Sequence, residues 1–193
     1  WSKSWEAEQL IRSLIETSVA PDLSVFSLLR PLTEVGIVER VARLLPHLFG
    51  SFSSCNKNFT IASARPHRKD AAYWCGTCPK CAFVGLLFAP FISRAALERL
   101  IGSNPLNNPD LIPLYRDLLG LGSLKPFECV GTFEETRACF AALAHHPEYQ
   151  DLVVVRWFSE QASIPPSTPA LDTLLAPLPS AVKTLPTDFQ TLL

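Results

Sequence analysis

The sequence predicts a mainly α protein: an irregular helical domain stapled by a cysteine knuckle, with a proline-rich C-terminal arm. Apolar residues recur at helical spacing through most of the chain, three of the six cysteines fall between positions 75 and 81, and prolines crowd the stretch after residue 161. These observations divide the 193 residues into a helical region over 1–161 and an arm over 162–193.

Ser4 reads as an N-cap, followed by acids at Glu6 and Glu8 and an apolar stripe of Leu10, Ile11, Leu14 and Ile15. After Pro21, Asp22 is placed to cap a short helix through Leu29, which Arg30-Pro31 breaks. Thr33 opens a third helix, striped by Ile37, Val38, Val41, Leu44 and Leu45 and closed by Pro46. Residues 50–74 have no clean period and read as loop. Pro79 suits the first helical position of a segment to Phe88 that is apolar on almost every side, the signature of a buried helix. Ser93 to Ile101 is amphipathic and stopped by Gly102, and residues 104–113 are loop-like. Leu114 to Leu119 is a short helix ended by Gly120. Thr132-Phe133-Glu134-Glu135 is a capping box for a helix to about Ala144. Pro147 opens a segment reaching Gln161, in which Val153-Val154-Val155 fits strand equally well. The prolines of the arm predict short turns wrapped over a surface.

Composition narrows the function classes. The net charge of −1 is a poor basis for neutralising phosphates, so nucleic acid is not expected as a partner. No apolar run is long enough to span a bilayer, so no membrane association is expected either. Charged residues make up 18%, against about 25% in an average domain, which fits a face covered by another domain. The chain has no methionine and opens on Trp1, which predicts a piece of something longer.

Cys75-Gly76-Thr77-Cys78-Pro79-Lys80-Cys81 is two overlapping C-x2-C pairs sharing Cys78. Gly76 lets the turn fold back, and Pro79 starts a helix whose N-terminal N–H groups favour thiolates at Cys78 and Cys81. Zinc takes four soft ligands at tetrahedral corners, so three sulfurs from one knuckle need a fourth ligand from elsewhere. Cys55 and His67 both qualify. An iron–sulfur cluster, which also takes four cysteines, and buried free thiols are the competing readings. Metal spacing rather than scattered pairs predicts a reducing, cytoplasmic setting.

The knuckle, with Trp74 before it and Ser54-Cys55-Asn56 upstream, resembles the zinc element of the cyano-deazaguanine synthases of the PP-loop ATP-pyrophosphatase superfamily. A wider resemblance takes in Ser2-Lys3-Ser4, the run Phe26-Ser27-Leu28-Leu29-Arg30-Pro31-Leu32 with Glu34, and Phe83-Val84. It continues through Ala89-Pro90-Phe91 and Lys125-Pro126-Phe127-Glu128-Cys129-Val130-Gly131 to Glu134 and Glu135. Over residues 2 to 140 the chain thus resembles the C-terminal half of the bacterial UDP-N-acetylmuramoyl-L-alanyl-L-glutamate epimerases.

That resemblance implies Cys55 as the fourth zinc ligand and an isomerase role in peptidoglycan-precursor synthesis. It implies a partner, the protein's own N-terminal ATP-pyrophosphatase domain, which binds ATP and Mg on a Ser-Gly-Gly-Lys-Asp-Ser loop. This chain has no such loop, so it is expected to be inactive alone. The implied chemistry converts the terminal L-glutamate of the UDP-N-acetylmuramoyl dipeptide to D-glutamate. A free carboxylate resists a second negative charge at the adjacent carbon, which keeps the Cα–H weakly acidic. Forming an acyl adenylate, with pyrophosphate released, removes that obstacle. Reprotonation on the other face and hydrolysis then leave AMP and the D residue.

Cys129, ahead of the capping-box helix, and Glu128 are the candidate proton-transfer residues; a buried cysteine and a solvated glutamate are the plainer alternative. Arg65 and Arg68, with Lys57 and Lys80 flanking them, form a basic run suited to phosphates, or to nothing more than a solvated loop. Arg30 and Lys125 are candidate anchors for a substrate carboxylate. Cys139, in mid-helix, reads as core. A zinc-knuckle binding module for nucleic acid or protein, and the zinc tail of a different PP-loop enzyme, are the alternative functions.

Overall fold

The computed structural model describes residues 4–59, 73–123, 130–161 and 168–192, and among them there is helix and turn but no strand. None of these helices is long and apolar enough to cross a membrane. Contacts divide the chain into two compact units, Trp1–Leu32 with Pro177–Leu193, and Thr33–Ala176.

The first unit is built on helix α1 (Trp5–Ser18), whose cap is Ser4, the Oγ accepting from the Ala7 N–H at 3.2 Å. The predicted helix from Asp22 does not form: residues 23–27 run without helical bonding and turns follow at 28–32. The reason is a competing partner for the backbone. The Ser27 N–H donates to the Glu8 carboxylate at 3.2 Å instead of to a carbonyl one turn back. Glu8 is buried, and it also receives Arg30 Nε at 2.6 Å and Arg12 at 2.7 Å. Both guanidiniums lie over the Trp5 ring, 5.1 Å and 5.6 Å from its centre. The tail closes this unit through α8 (Pro179–Val182) and α9 (Thr187–Gln190). The Leu178 N–H donates to the Pro31 carbonyl at 2.8 Å, Phe189 packs on Phe26 at 4.8 Å, and Leu185 is buried.

In the second unit, α2 (Glu34–Leu44) is capped by Thr33, and α3 (Pro79–Phe88) is the central element. α3 packs against α2, against α6 (Phe133–Leu143) and against a 3-10 turn at Pro105–Asn107. Of its ten residues only Pro79, Lys80 and Val84 are not buried, as its all-round apolar sequence requires. Each of Phe83, Leu86, Leu87 and Phe88 contributes about 1.5–3 kcal/mol by leaving water. Gly85 gives Pro105 room, since a Cβ there would stand 3.2 Å from its ring. The buried Tyr115 hydroxyl donates to the Ala82 carbonyl at 3.1 Å, tying α5 (Ile112–Leu118) to α3.

α4 (Arg94–Ile101) ends on Gly102 at φ 81°. The capping box forms as predicted: Thr132 Oγ1 accepts from the Glu135 N–H at 3.2 Å and the Glu135 carboxylate accepts from the Thr132 N–H at 2.7 Å. The other carboxylate oxygen accepts from the Val35 N–H at 3.2 Å, so one buried acid serves the N-termini of both α6 and α2. α7 is Val153–Ser159, a helix and not a strand, and it begins six residues after Pro147 because turns occupy the intervening stretch. Val154, Val155 and Phe158 are buried there, with Phe158 stacked on Phe140 at 4.9 Å.

The Glu8 cluster makes a test of the first unit. Burial works against its charge, but hydrogen bonds from Arg30 and Ser27 and the charges of Arg30 and Arg12 outweigh that and leave its carboxyl below the ordinary value of 4.5. Glu8→Ala is expected to lower stability by about 1–3 kcal/mol in urea denaturation at neutral pH, because two guanidiniums and an N–H lose their acceptor. A depressed pKa stabilises the fold fully above the ordinary carboxylate range and progressively less as pH falls through the folded value, so the difference between variant and wild type should shrink in acid.

Candidate metal centre

The knuckle is shaped by its backbone. Gly76 adopts φ +73°, a conformation that side chains disfavour, and a Cβ there would run into the Ser103 hydroxyl. The chain turns back, and at Cys78 it takes up the extended N-cap conformation of α3, with Pro79 at the first helical position. Cys81 is then one turn into the helix, and its N–H donates to Cys78 Sγ at 3.4 Å. Cys55 reaches the same point from the other side of the loop, where its Sγ accepts from the Cys75 N–H at 3.3 Å.

The result is four sulfurs that all lie within 4.8 Å of one another. Sγ–Sγ separations are 4.0 Å for Cys55–Cys78, 3.7 Å for Cys75–Cys81 and 3.4 Å for Cys78–Cys81. A tetrahedron with metal–sulfur bonds of about 2.3 Å has edges of about 3.8 Å, so this group has the size such an ion requires. These distances are far too long for disulfide bonds. Cys55, Cys78 and Cys81 are buried and Cys75 is half-buried. Amide donors stabilise negative sulfur: besides the two above, the Thr77 N–H approaches Cys75 Sγ at 3.5 Å, the Thr77 hydroxyl at 3.7 Å, and the Gly76 N–H faces Cys81. The hydrogen bond between Cys78 and Cys81 holds the first thiol well below the ordinary thiol value and raises the second. A soft, thiol-rich, amide-lined donor set fits a divalent metal, and protein atoms fill all four corners.

An aromatic wall backs the cluster. Buried Trp74 meets Phe52 edge-on at 6.1 Å, and Phe49 and Phe52 pack on Phe88 at 5.4 Å and 6.2 Å, joining the loop that carries Cys55 to the end of α3.

Of the other candidate residues, Lys57 is exposed next to the knuckle, its Nζ donating to Thr77 Oγ1 at 3.2 Å. Lys80 is half-buried in the first turn of α3. Arg30 belongs to the other unit, where Glu8 engages its guanidinium. Arg65, His67, Arg68, Lys125, Glu128 and Cys129 lie outside the described residues. Cys139 is fully buried, and burial pushes its thiol well above the ordinary range, as suits a core position. Thr77 and Ser103 were not singled out from the sequence. The x positions of a C-x2-C pair carry no pattern of their own, and Ser103 meets the knuckle only through tertiary packing.

Comparison with known proteins bears directly on this centre. Residues 51–171, which contain all four cysteines, match the family described as the MurL C-terminal domain. The chain belongs to the MurL C-terminal domain family. Three curated proteins similar to it are each named UDP-N-acetyl-alpha-D-muramoyl-L-alanyl-L-glutamate epimerase. The one from Xanthomonas oryzae pv. oryzae is 39% identical over 179 residues, covering 91% of this chain and 38% of that protein. The one from Salinispora tropica is 38% identical over 159 residues, covering 80% and 32%. A Micromonospora protein is 38% identical over 156 residues, covering 81% and 33%. This member of the MurL C-terminal domain family therefore spans about a third of the length of the relatives it matches. No solved structure matches the chain.

Gly76→Ala tests the knuckle geometry. It should destabilise the fold by about 1–3 kcal/mol through the left-handed backbone conformation, with a further loss from the clash with Ser103. Adding Ser103→Ala should recover only the clash component, a split that thermal denaturation of the two variants will read.

Proposed function

We propose that this chain is the C-terminal region of an ATP-dependent epimerase, a cytoplasmic bacterial isomerase of peptidoglycan-precursor synthesis. Its reaction converts the terminal L-glutamate of UDP-N-acetylmuramoyl-L-alanyl-L-glutamate to D-glutamate. The observation that carries this reading is family membership over the cysteine-bearing residues 51–171, joined to relatives that all bear the same epimerase name. Zinc is the metal assigned to Cys55, Cys75, Cys78 and Cys81. With every corner taken by a thiolate there is no open position for substrate, so the ion's contribution is to hold the fold. Cysteines spaced for a metal rather than for disulfides fit a cytoplasmic setting.

The chemistry then belongs to other groups. ATP and Mg are assigned to the N-terminal domain of the full-length enzyme, since no phosphate loop exists in this sequence. Cys129 and Glu128 are the proposed proton-transfer residues. Lys57, Arg65, Arg68, Lys80 and Lys125 are the proposed anion-binding set for the nucleotide-linked substrate. Arg30, which Glu8 engages, is proposed as an anchor for a substrate carboxylate.

The full-length enzyme, given the UDP-N-acetylmuramoyl dipeptide, ATP and Mg, should form D-glutamate with stoichiometric pyrophosphate, and the 193-residue chain should form neither. Epimerisation without ATP, or none in the full-length enzyme, contradicts the reading. Purified chain should contain one zinc per molecule, and Cys78→Ser should lose it together with several kcal/mol of stability, because metal binding and folding are linked. An unchanged melting temperature in that variant refutes the structural role.

A further inference from the structure

Helix α1 carries more apolar surface than its own unit, Trp1–Leu32 with Pro177–Leu193, covers. Its period sets Ala7, Leu10, Ile11, Leu14 and Ile15 along one broad side, with Gln9, Ser13 and Glu16 opposite. That pattern predicts burial of the whole apolar side. Ala7 is buried and Ile15 half-buried, yet Leu10, Ile11 and Leu14 are 61%, 49% and 59% exposed. Leu14 lies four residues after Leu10 and three after Ile11, the spacings at which side chains adjoin on a helix surface, so the three form one patch.

What covers it follows from where α1 lies in the family. The C-terminal domain begins at residue 51, so α1 stands ahead of that domain. The Xanthomonas oryzae relative aligns over 179 residues, more than the Thr33–Ala176 unit contains, so it shares part of the unit to which α1 belongs. Most of that relative, everything beyond the 38% matched, lies outside the alignment. Charge argues against a lipid surface as the occupant. A helix lying on a membrane carries Lys and Arg on its polar face, whereas α1 exposes Glu6 and Glu16 and its one arginine, Arg12, is paired with Glu8.

We propose that the Leu10–Ile11–Leu14 face of α1 is the docking surface for the N-terminal region of the full-length enzyme, an apolar interface within one polypeptide. The proposal rests on the reading above that such a region precedes this one and supplies the ATP chemistry.

Hydroxyl-radical footprinting tests it on two proteins, the 193-residue chain and the same chain preceded by the N-terminal region that full-length family members carry. Oxidation of Leu10, Ile11 and Leu14 should fall several-fold in the longer protein and remain high in the shorter one. The double variant Leu10→Asp, Leu14→Asp should leave the melting temperature of the shorter chain unchanged, because these side chains are exposed there. In the longer protein it should split a single unfolding transition into two. Equal oxidation in both proteins overturns the proposal. So does protection already present in the shorter chain and lost on dilution, which identifies a second copy as the occupant. If the longer protein epimerises its substrate while the patch stays fully oxidisable, the docking surface is wrong and the epimerase reading stands. If the patch is protected and no D-glutamate forms, the reverse holds.

Discussion

Four thiolates cannot share a space a few ångströms across without a cation between them. Cys55, Cys75, Cys78 and Cys81 nevertheless converge, with backbone N–H groups of residues 75, 76, 77 and 81 turned toward their sulfurs. Each of those amides lowers the cost of negative sulfur a little, and a divalent ion removes most of what remains. The constraint reaches far beyond the site because Cys78 is the N-cap of α3 and α3 is the element around which α2, α6 and the Pro105–Asn107 turn pack. Fixing one sulfur fixes the start of the central helix. Fixing Cys55 to it brings the loop after α2 back to the same place, with the Phe49, Phe52, Trp74 and Phe88 rings filling the space behind.

A centre closed by four protein ligands divides the labour. A metal held there would have no coordination position left for a substrate, which suits a role in holding the fold. The chain spans about a third of the relatives it matches, so most of their length lies outside it. The exposed apolar face of α1 fits that, as surface that a larger enzyme has reason to cover.

Much of this architecture was legible because the chain states its helix starts in local chemistry. Ser4, Thr33, Ser93 and Thr132 each cap the helix expected of them, and Gly102 ends one at positive φ. The knuckle was legible for the same reason: C-x2-C spacing, a glycine that must turn and a proline that must start a helix are all local facts. The failures are tertiary. No helix follows Asp22, because Glu8, nineteen residues before Ser27, takes the backbone N–H that a helix would have used. Val153 to Val155 hesitated between strand and helix because β-branched residues favour strands, and burial against Phe140 and its neighbours decided for helix. That Glu135 would also serve α2 depends on a partner a hundred residues away, which no window of sequence contains.

The account stands or falls on the ligand set of the metal. X-ray absorption at the zinc edge on the purified chain measures it directly. Four sulfur neighbours at about 2.3 Å, with no imidazole scattering, is the predicted result. Three sulfurs with one nitrogen would remove Cys55 from the centre and the stitch it makes between the two stretches of chain, and an absence of zinc would contradict the account altogether.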